Sequence, residues 1–495
     1  MARPPAPDLA RLVRVGVYNR WVDTLGGGEQ TLGAFASIFA EHHDVDLITH
    51  EQPDWDRFAG TLGFDLGGLR SRVVPHDPDH YRPLQDASRD YDLFVNCSYL
   101  DHVRAYARVN VMQVFFPPAM PPSAGDVTPV PAGGDGPRAI AGLYPLERDR
   151  DGVFAWTDGQ GRFAVTGGRV TLRLASNRPR GVPPATVTVS AGGTDLLTKT
   201  LRRSGYEDVE VVVPPGFVDV RSDTFDPAGD VRPALGVRVA TGLDRWTQHF
   251  RYVDSVATYD LLLANSHFTQ RWIARRYGRS SELLYPPVQV GQFHVGEKRQ
   301  RIVSVGRFFV EGHGKKQLEM IHAFRRLCDE GLSGWDYHLA GGTHHDPGSV
   351  RYLDDCRAAA VGYPVTLHPD APLRELVDLY AGSALYWNAT GYGEDPDTVP
   401  DRFEHFGMTT VEAMASGCVP LSYARAGQPE VIEQGWSGVL FETLDELRAA
   451  TLALIGDPAR RAAMASAAVE RSRTFTDERF RTTLRRLLAG TALYA

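Results

Sequence analysis

Short apolar runs separated by amphipathic stretches predict two α/β regions in this chain. The first region begins with an apolar run at 13–18, followed by a glycine loop and a stretch whose apolar side chains share one helical face. Further runs follow at 45–49, 93–96 and 111–115. The second region begins at 301–305 and continues through 337–340 and 384–387. Because such runs suit buried parallel strands, each region predicts a doubly wound, Rossmann-like sheet.

Between the two regions the apolar positions switch to strict alternation. From about residue 154 to residue 239, short runs in which every second residue is apolar are separated by Gly and Pro turns. This pattern is typical of an antiparallel β-sandwich. Because the α/β pattern resumes at 261–264, we interpret the sandwich as an insertion into the first α/β domain, flanked by segments rich in Pro and Gly.

The predicted architecture is therefore α/β, with two Rossmann-like domains facing each other across a cleft and an antiparallel β-sandwich inserted in the first. The predicted bounds are 1–120 for the first part of the N-terminal domain, 121–245 for the insertion, 246–290 for the completion of the N-terminal domain, 291–475 for the C-terminal domain and 476–495 for a helix that packs back on the N-terminal domain. A length of 495 residues agrees with about three domains.

Composition and charge narrow the class of protein. The net charge of -8 argues against a nucleic-acid partner, because there is no basic excess to displace counterions. The four cysteines have no paired spacing, which predicts buried thiols at Cys97, Cys328, Cys356 and Cys418. The N-terminus lacks the apolar run of a secretory signal, and no run of about 18 apolar residues occurs. We expect a cytoplasmic protein, for which a peripheral contact with a membrane remains open.

The first candidate for chemistry is the glycine loop Gly26-Gly27-Gly28, which lies between a strand and a helix that begins near Glu29. Bare backbone N–H groups at a helix N-terminus form an anion site, suited to phosphates or a developing oxyanion. The alternative is a flexible connection between strand and helix with no ligand.

The second candidate is a loop that follows the strand ending at Gly306. Arg307 precedes this loop, and Lys315 and Lys316 end it, where a helix is predicted to start. Cations on both sides of the loop can converge on a diphosphate, and at an effective dielectric of 20 each charge pair at about 4 Å is worth roughly 4 kcal/mol before desolvation. The alternative is a set of solvated charges beside a loop.

The third candidate is a pair of carboxylates, Glu404 and Glu412, eight positions apart. Thr409 or Thr410 is a good N-cap, so Glu404 is expected on the loop before a short helix and Glu412 in its first turn. Glu404 precedes an apolar stretch, where an unpaired carboxylate is costly. For Glu412 a purely structural role stays open, because Thr409-x-x-Glu412 is itself a capping box.

Taken together, these motifs resemble the family-four retaining glycosyltransferases of GT-B fold. The resemblance rests on Glu404-x7-Glu412 with its Phe-Gly and Glu-Ala-Met-Ala-x-Gly context, the Gly-Arg…Lys-Lys loop and Gly27-Gly28-Glu29. It extends to the segments 264–269, 285–288, 340–342, 429–432 and 436–438, and it covers roughly 13–117 and 250–490. The inserted sandwich lies outside it.

The resemblance implies a role for each matching residue. Arg307 and Lys315 would contact the diphosphate of a nucleotide-sugar donor, Glu404 would hold the sugar and shape the transition state, and Glu412 would accept the ribose hydroxyls. The C-terminal domain would bind the donor and the N-terminal domain the acceptor. The donor site would be completed by the backbone of Gly26, Gly27 and Gly28 and by Phe406, Gly407, Met408 and Thr409. Retention in this family is thought to follow a same-face route, with no protein nucleophile, metal or cofactor.

Two places depart from the family pattern or mimic another one. Relatives often carry a His before Phe-Pro at the end of a first-domain strand, whereas Phe115-Phe116-Pro117 has Phe in that place. Either the histidine is dispensable or another residue, for which His102 is a candidate, replaces it. Asp395-Pro396-Asp397 looks like a metal-binding Asp-x-Asp, but its Pro- and Gly-rich surroundings favour a surface turn.

Other functions stay open at this point. One is another enzyme of GT-B fold, such as a sugar-nucleotide epimerase or an enzyme that couples a pseudo-sugar. Another is a carbohydrate-binding protein on a weakly active transferase scaffold. We expect the acceptor to be a glycan or another large partner, and the sequence does not identify it. The insertion is expected either to position that acceptor or to act as a spacer or dimerisation module.

Overall fold

The computed structural model describes residues 13–24, 26–64, 66, 69–76, 82–99, 101–118, 137–149, 152–225, 235–243, 255–309, 314–343 and 346–493. Residues 310–313 of the loop between Arg307 and Lys315 lie outside the described residues, as do 1–12 and parts of the segments that flank the insertion. None of the helices in the described residues combines the length and the apolar composition that a membrane-spanning segment needs.

Among its described residues, the N-terminal region begins with five parallel strands and three α-helices. The strands are β1 Arg14–Tyr18, β2 Asp44–Thr49, β3 Arg70–Val73, β4 Leu93–Asn96 and β5 Val109–Val114. The helices are α1 Gly27–Ala40, α2 Trp55–Leu62 and α3 Arg82–Ser88. In α1 the predicted apolar face of Leu32, Phe35, Ala36 and Phe39 is buried against the sheet. Burying this stripe is what holds the helix in place.

The inserted region consists of antiparallel strands. They are β6 Arg138–Asp149, β7 Gly152–Val165, β8 Gly168–Ala175, β9 Thr186–Ala191, β10 Thr194–Thr200, β11 Glu207–Val213, β12 Gly216–Ser222 and β13 Arg238–Val239. Their order is β10-β9-β12-β7-β13-β8-β11, with β6 also paired to β7. The structure thus differs from the expected sandwich in one respect, because its described strands are hydrogen-bonded in a single continuous sheet.

The long strand β7 explains how one sheet provides a two-sided core. Its first half pairs with β13, and its second half pairs with β12. Apolar side chains from both ends of the sheet, including Leu172, Val189, Val211 and Val220, belong to one buried cluster made only of residues of the insertion. The insertion therefore has a hydrophobic core of its own.

After the insertion the chain returns to the first sheet. Strands β14 Leu261–Ala264 and β15 Glu282–Leu283 flank the helix α4 His267–Tyr277. They extend the parallel sheet to the order β15-β14-β5-β4-β1-β2-β3. The strand order reverses between β1 and β4, so the loops at their carboxyl ends border a crevice, the usual place for a ligand in an open α/β sheet.

The C-terminal region is a second parallel sheet in the order β18-β17-β16-β19-β20-β21. Its strands are β16 Arg299–Val305, β17 Asp336–Gly341, β18 Val365–Pro369, β19 Ser383–Asn388, β20 Val419–Tyr423 and β21 Val439–Phe441. Its helices are α5 Gln317–Asp329, α6 Pro347–Ala360, α7 Leu373–Gly382, α8 Met408–Ala415, α9 Gln428–Val431, α10 Leu444–Gly456 and α11 Pro458–Ser472.

The last helix, α12 Asp477–Leu488, returns to the N-terminal region. Phe480, Leu484 and Leu488 lie in the same buried cluster as the apolar face of α1, and the rings of Phe35 and Phe480 are 5.3 Å apart. Arg481 and Arg485 pair with Glu41 at the end of α1. One apolar face and two ion pairs thus fasten the C-terminal end of the chain to the N-terminal domain.

Candidate functional site

The glycine loop before α1 is held by a buried carboxylate. Glu29, 5% exposed, accepts hydrogen bonds from the backbone N–H of Gly26 at 2.7 Å, from the Thr24 hydroxyl at 2.6 Å and from the Asn19 amide at 3.3 Å. A flexible connection does not need such an anchor, so the loop is a fixed feature of the N-terminal domain. Glu29 is a positioning residue, and its place at the start of a helix was the sequence signal for it.

This loop touches the C-terminal domain. A Cβ added at Gly27 would lie 2.9 Å from the Sδ atom of Met408, and one added at Gly28 would lie 3.7 Å from the ring of Phe115. Met408 is the first residue of α8. The N-terminal ends of α1 and α8, each with bare N–H groups, therefore meet across the cleft, an arrangement suited to an anion.

Lys315 and Glu404 form an ion pair at the carboxyl edge of the C-terminal sheet. The Lys315 Nζ donates to Glu404 Oε2 at 2.6 Å, and the two side chains are 15% and 14% exposed. The stem of Lys315 lies against Gly306, where an added Cβ would come within 2.6 Å of the lysine Cγ. The hydroxyl of Thr390 also approaches Glu404, at 3.4 Å. The two residues for which the resemblance implies phosphate and sugar binding are thus adjacent.

Lys316, the neighbouring cation, turns to a different carboxylate. It has a left-handed backbone (φ 57°), and its ammonium pairs with Glu394 at 2.9 Å. Lys316 ends the loop just before α5 begins. The backbone twist separates the two lysines, so that only Lys315 reaches Glu404.

Arg307 lies just beyond the end of β16. Its guanidinium stacks over the ring of Phe309 at 5.1 Å, and no carboxylate among the described residues pairs with it. The Gln317 amide, donating to the carbonyl oxygens of Gly306 and Arg307 at 3.0 Å each, fixes this turn. The positive charge of Arg307 also acts on the Tyr99 phenol of the N-terminal domain, where it partly offsets the rise in pKa that burial and Asp401 cause. Arg307 therefore lies on the side of its domain that is nearest to the N-terminal domain.

The segment from Glu404 to Gly407 is shaped by glycine and by a buried glutamine. Gly407 has φ 102°, and an added Cβ would lie 2.1 Å from the Gln428 amide nitrogen, so only glycine fits. Gln428 donates to the Phe406 carbonyl at 2.7 Å and accepts from Thr410 at 3.0 Å. Nothing in the local sequence singled out Gln428.

The structure corrects the predicted start of α8. Its N-cap is Gly407 and its first residue Met408, so neither Thr409 nor Thr410 caps it and the proposed capping box of Thr409 and Glu412 does not form. The Phe406 ring does not line the cleft either. It is buried 5.5 Å from the ring of Tyr285 and 5.3 Å from that of Phe475. Phe406 therefore contributes packing and a carbonyl group.

Glu412 lies one turn into α8 and binds a tyrosine. Its Oε2 accepts from the Tyr380 hydroxyl at 3.2 Å, and the same hydroxyl lies 3.2 Å from the Thr409 carbonyl. Desolvation raises the pKa of Glu412 to about 7, which the tyrosine hydrogen bond only partly offsets. The Tyr386 hydroxyl lies 2.9 Å from Thr409 Oγ1, and the charges of Glu404 and Glu412 add to the rise in its pKa that burial causes. A carboxylate that is costly to bury and poorly compensated is well suited to accept hydrogen bonds from a ligand.

The position where relatives carry histidine is filled by aromatic packing between the domains. The Phe116 ring stacks on His405 with centroids 4.0 Å apart and on Phe268 at 5.7 Å. Desolvation lowers the pKa of His405 to about 4, so the imidazole is neutral at physiological pH. His102 lies elsewhere, buried against the Tyr277 hydroxyl at 2.5 Å. An imidazole therefore does approach this region, but from the C-terminal side.

A further contact between the domains was not anticipated from the sequence. The Glu430 carboxylate, at the start of α9, accepts from the backbone N–H groups of His267 and Phe268 at 2.7 and 2.8 Å. These are the first residues of α4, so an acidic group of one domain caps a helix of the other.

Asp395 and Asp397 form an exposed turn, in which Asp395 accepts from the backbone N–H of Asp397 at 2.9 Å.

Residues 289–471 match the family model described as Glycosyl transferases group 1. A D-inositol 3-phosphate glycosyltransferase 1 from Catenulispora acidiphila is 27% identical over 241 residues, 44% of this chain and 54% of the relative. A GDP-Man:Man(3)GlcNAc(2)-PP-Dol alpha-1,2-mannosyltransferase from Xenopus laevis is 26% identical over 213 residues, 39% of this chain and 40% of the relative. The chain thus spans about half the length of the curated relatives it matches.

Two solved structures share the overall fold. Anabaena Alr3699/HepE, crystallised in complex with UDP and glucose, gives a TM-score of 0.55 at 12% identity, over 97% of this chain and 100% of that one. Sucrose-phosphate synthase from Thermosynechococcus elongatus gives 0.56 at 12% identity, over 97% and 100%. At this identity the likeness establishes the fold, which is that of GT-B proteins with parallel, Rossmann-like sheets.

Proposed function

We propose, from the premise that residues 289–471 form a group 1 glycosyl transferase domain, that this chain transfers a sugar from a nucleotide diphosphate donor to a hydroxyl acceptor, with retention of configuration and without a metal. The observation that carries the proposal is the Lys315–Glu404 pair, 2.6 Å long and next to Arg307 at the edge of the sheet. A diphosphate leaving group needs cations, and the sugar from which it departs needs a carboxylate beside it.

The donor diphosphate is assigned to Lys315, Arg307 and the facing helix ends. An ammonium group has three N–H donors, and among the described residues only Glu404 accepts from that of Lys315, which leaves donors for phosphate oxygens. Arg307 adds a planar, bidentate fork, and the N-termini of α1 and α8 add backbone N–H groups. As the bond to the sugar breaks, negative charge grows on the phosphate, so these contacts strengthen in the transition state.

Glu404 and Glu412 are assigned to different parts of the donor, the transferred sugar and the ribose. Glu404 lies next to the phosphate-binding lysine, where its carboxylate would hold sugar hydroxyls and stabilise positive charge that develops at the sugar. Glu412 lies in α8 and accepts a hydrogen bond from Tyr380 of α7. This carboxylate would accept the ribose hydroxyls. The acceptor is assigned to the N-terminal side of the cleft. In the same-face route that we propose, the departing phosphate takes the proton of the acceptor hydroxyl, so no side chain has to act as a nucleophile.

The test is a donor assay with excess EDTA, using UDP- and GDP-sugars, followed by NMR of the product or, without an acceptor, of the hydrolysed sugar. The proposal expects turnover of one donor to survive EDTA and the product to keep the donor's anomeric configuration. Activity restored only by Mg²⁺ or Mn²⁺ would refute metal independence, and an inverted product would refute retention. Tight binding of nucleotide sugars by the wild type with no turnover would favour the carbohydrate-binding alternative.

A further inference from the structure

The inserted sheet carries a row of polar side chains on the outward face of four neighbouring strands. In the register of β7, β12 and β9, Arg162 is opposite Asp219, which is opposite Ser190. On β10, Asp195 is in turn opposite Ser190. Because inward-facing Val189, Val218 and Val220 alternate with them, these polar side chains are not needed for the core.

These strands enclose a small concavity of about 270 Å³. Arg162, Ser190, Asp219 and Arg221 line it, and Gly193 opens its rim, with no atom within 4 Å of where a Cβ would stand. Ser190 forms part of the floor and is only 4% exposed although it points away from the core. A volume just below the usual range for small-molecule pockets suits one sugar ring.

The charges in this groove cancel in pairs. Arg162 binds Asp219 with two hydrogen bonds, of 2.5 Å from Nε and 2.8 Å from Nη2, and Arg221 pairs with Asp195. The groove therefore has no net charge with which to attract an anion. It offers carboxylate acceptors beside guanidinium donors, and neighbouring hydroxyl groups of a sugar can donate to the first and accept from the second.

One aromatic ring borders the same groove. Phe217 lies two residues before Asp219 on β12, hence on the same face, with the Arg162 guanidinium 5.8 Å from its ring. The ring is partly exposed. An apolar ring beside paired polar groups matches a sugar, which has an apolar C–H face and a polar rim.

We infer that the groove formed by Arg162, Ser190, Asp219 and Arg221 is a binding site for a neutral saccharide, separate from the donor groups. All its residues belong to the insertion, so it does not depend on the proposed transfer chemistry. The site gives the insertion a task of its own, which is to hold a glycan chain on the protein.

The experiment measures binding of neutral hexasaccharides to the full chain by saturation-transfer NMR, followed by calorimetry. The probes are α- and β-linked hexamers of glucose, mannose and N-acetylglucosamine, with a heparin hexasaccharide as the anionic probe. We expect at least one neutral hexamer to bind. Asp219→Asn and Ser190→Leu, which remove an acceptor and fill the groove, should each weaken binding about tenfold or more.

Two controls separate this site from the cleft. Glu210→Gln breaks the pair between Arg169 and Glu210 on β8 and β11, which has a similar length of 3.0 Å, and should leave saccharide binding unchanged. Arg307→Ala should also leave it unchanged. Unchanged melting temperatures would show that Asp219→Asn and Ser190→Leu fold.

Three results would overturn the inference. They are no binding of any neutral hexamer, binding that is lost in Arg307→Ala but kept in Asp219→Asn, and a preference for the heparin probe that falls with salt. None of these depends on transferase activity, so failure of the groove and failure of the proposed function remain distinguishable.

Discussion

The C-terminal and N-terminal sides of the cleft differ in the chemical groups that they present. The C-terminal side presents charged side chains, Lys315, Glu404 and Glu412, each held by a partner. The N-terminal side presents backbone: Gly27 comes so close to Met408 that an added Cβ would meet its sulfur at 2.9 Å. Side chains select a ligand through their charge, whereas backbone N–H groups donate hydrogen bonds to any anion of the right shape.

The same difference is seen at Phe116, the position where the resemblance led us to expect a histidine. On the N-terminal side Phe116 packs on His405 and thereby joins the domains, a task that depends on ring shape rather than on protonation. The lowered pKa of His405 agrees, because burial keeps the imidazole neutral. In this chain the residue that departs from the family pattern supports the geometry of the cleft, while the proposed chemistry stays with the C-terminal side chains.

The sharpest way to break this comparison is Glu404→Gln, which keeps the volume of the side chain and removes its charge. We expect turnover to fall by roughly 10²- to 10³-fold, with much less change in donor affinity, since the carboxylate is proposed to act on charge that develops in the transition state. Steady-state kinetics and calorimetry measure the two effects. Glu394→Gln, the carboxylate paired with Lys316, is the matched control and should retain activity. Equal losses in both variants would contradict the assignment.

The next largest effect is expected for the cations. Lys315→Ala or Arg307→Ala should weaken binding of a nucleotide diphosphate by about ten- to a hundredfold, because each charge-assisted contact is worth about 1.5–3 kcal/mol. Calorimetry with UDP and GDP measures it. Lys316→Ala, one residue away and turned to Glu394, should change affinity little. If Lys316→Ala has the larger effect, the wrong lysine has been assigned.

A smaller and more specific effect concerns pH. With a raised pKa of about 7, Glu412 is largely protonated below that value, and its carboxylate form is present above it. If the carboxylate accepts ribose hydroxyls, nucleotide affinity should fall severalfold as the pH drops from 8 to 6. Glu412→Gln should bind more weakly at pH 8 and lose this component of the pH dependence. Identical pH profiles of wild type and variant would refute the role.

The smallest effect on the donor is expected from removing the insertion. Because its main core consists only of its own residues, replacing 125–244 by a short Gly/Ser bridge should leave nucleotide affinity within roughly twofold. Transfer to a glycan acceptor should decrease if the insertion positions that acceptor. A folded variant that binds no donor would place the insertion in the donor site, and unchanged transfer would favour a spacer.

Much of the molecule was readable from the sequence. Periodicity alone predicted the two parallel sheets, the change to antiparallel strands and the return of the chain to the first sheet, because apolar spacing directly reflects which faces are buried. The charges around Gly306 and Lys315 indicated a diphosphate, and the family resemblance carried by Glu404 and Glu412 implied a sugar. The predicted start of α8 was wrong. Threonine suits an N-cap, but the left-handed backbone conformation at Gly407, which favours glycine, places the cap there instead.

Tertiary structure decided which groups meet. Residues 89 positions apart become the Lys315–Glu404 pair, and Gln428, Tyr380 and Glu430 acquire their roles only through neighbours distant in the chain. The same holds for the single continuous sheet of the insertion and for the groove between Arg162 and Asp219. Periodicity records burial one segment at a time, whereas register, strand order and domain contact depend on the packing of whole elements, which no local pattern encodes.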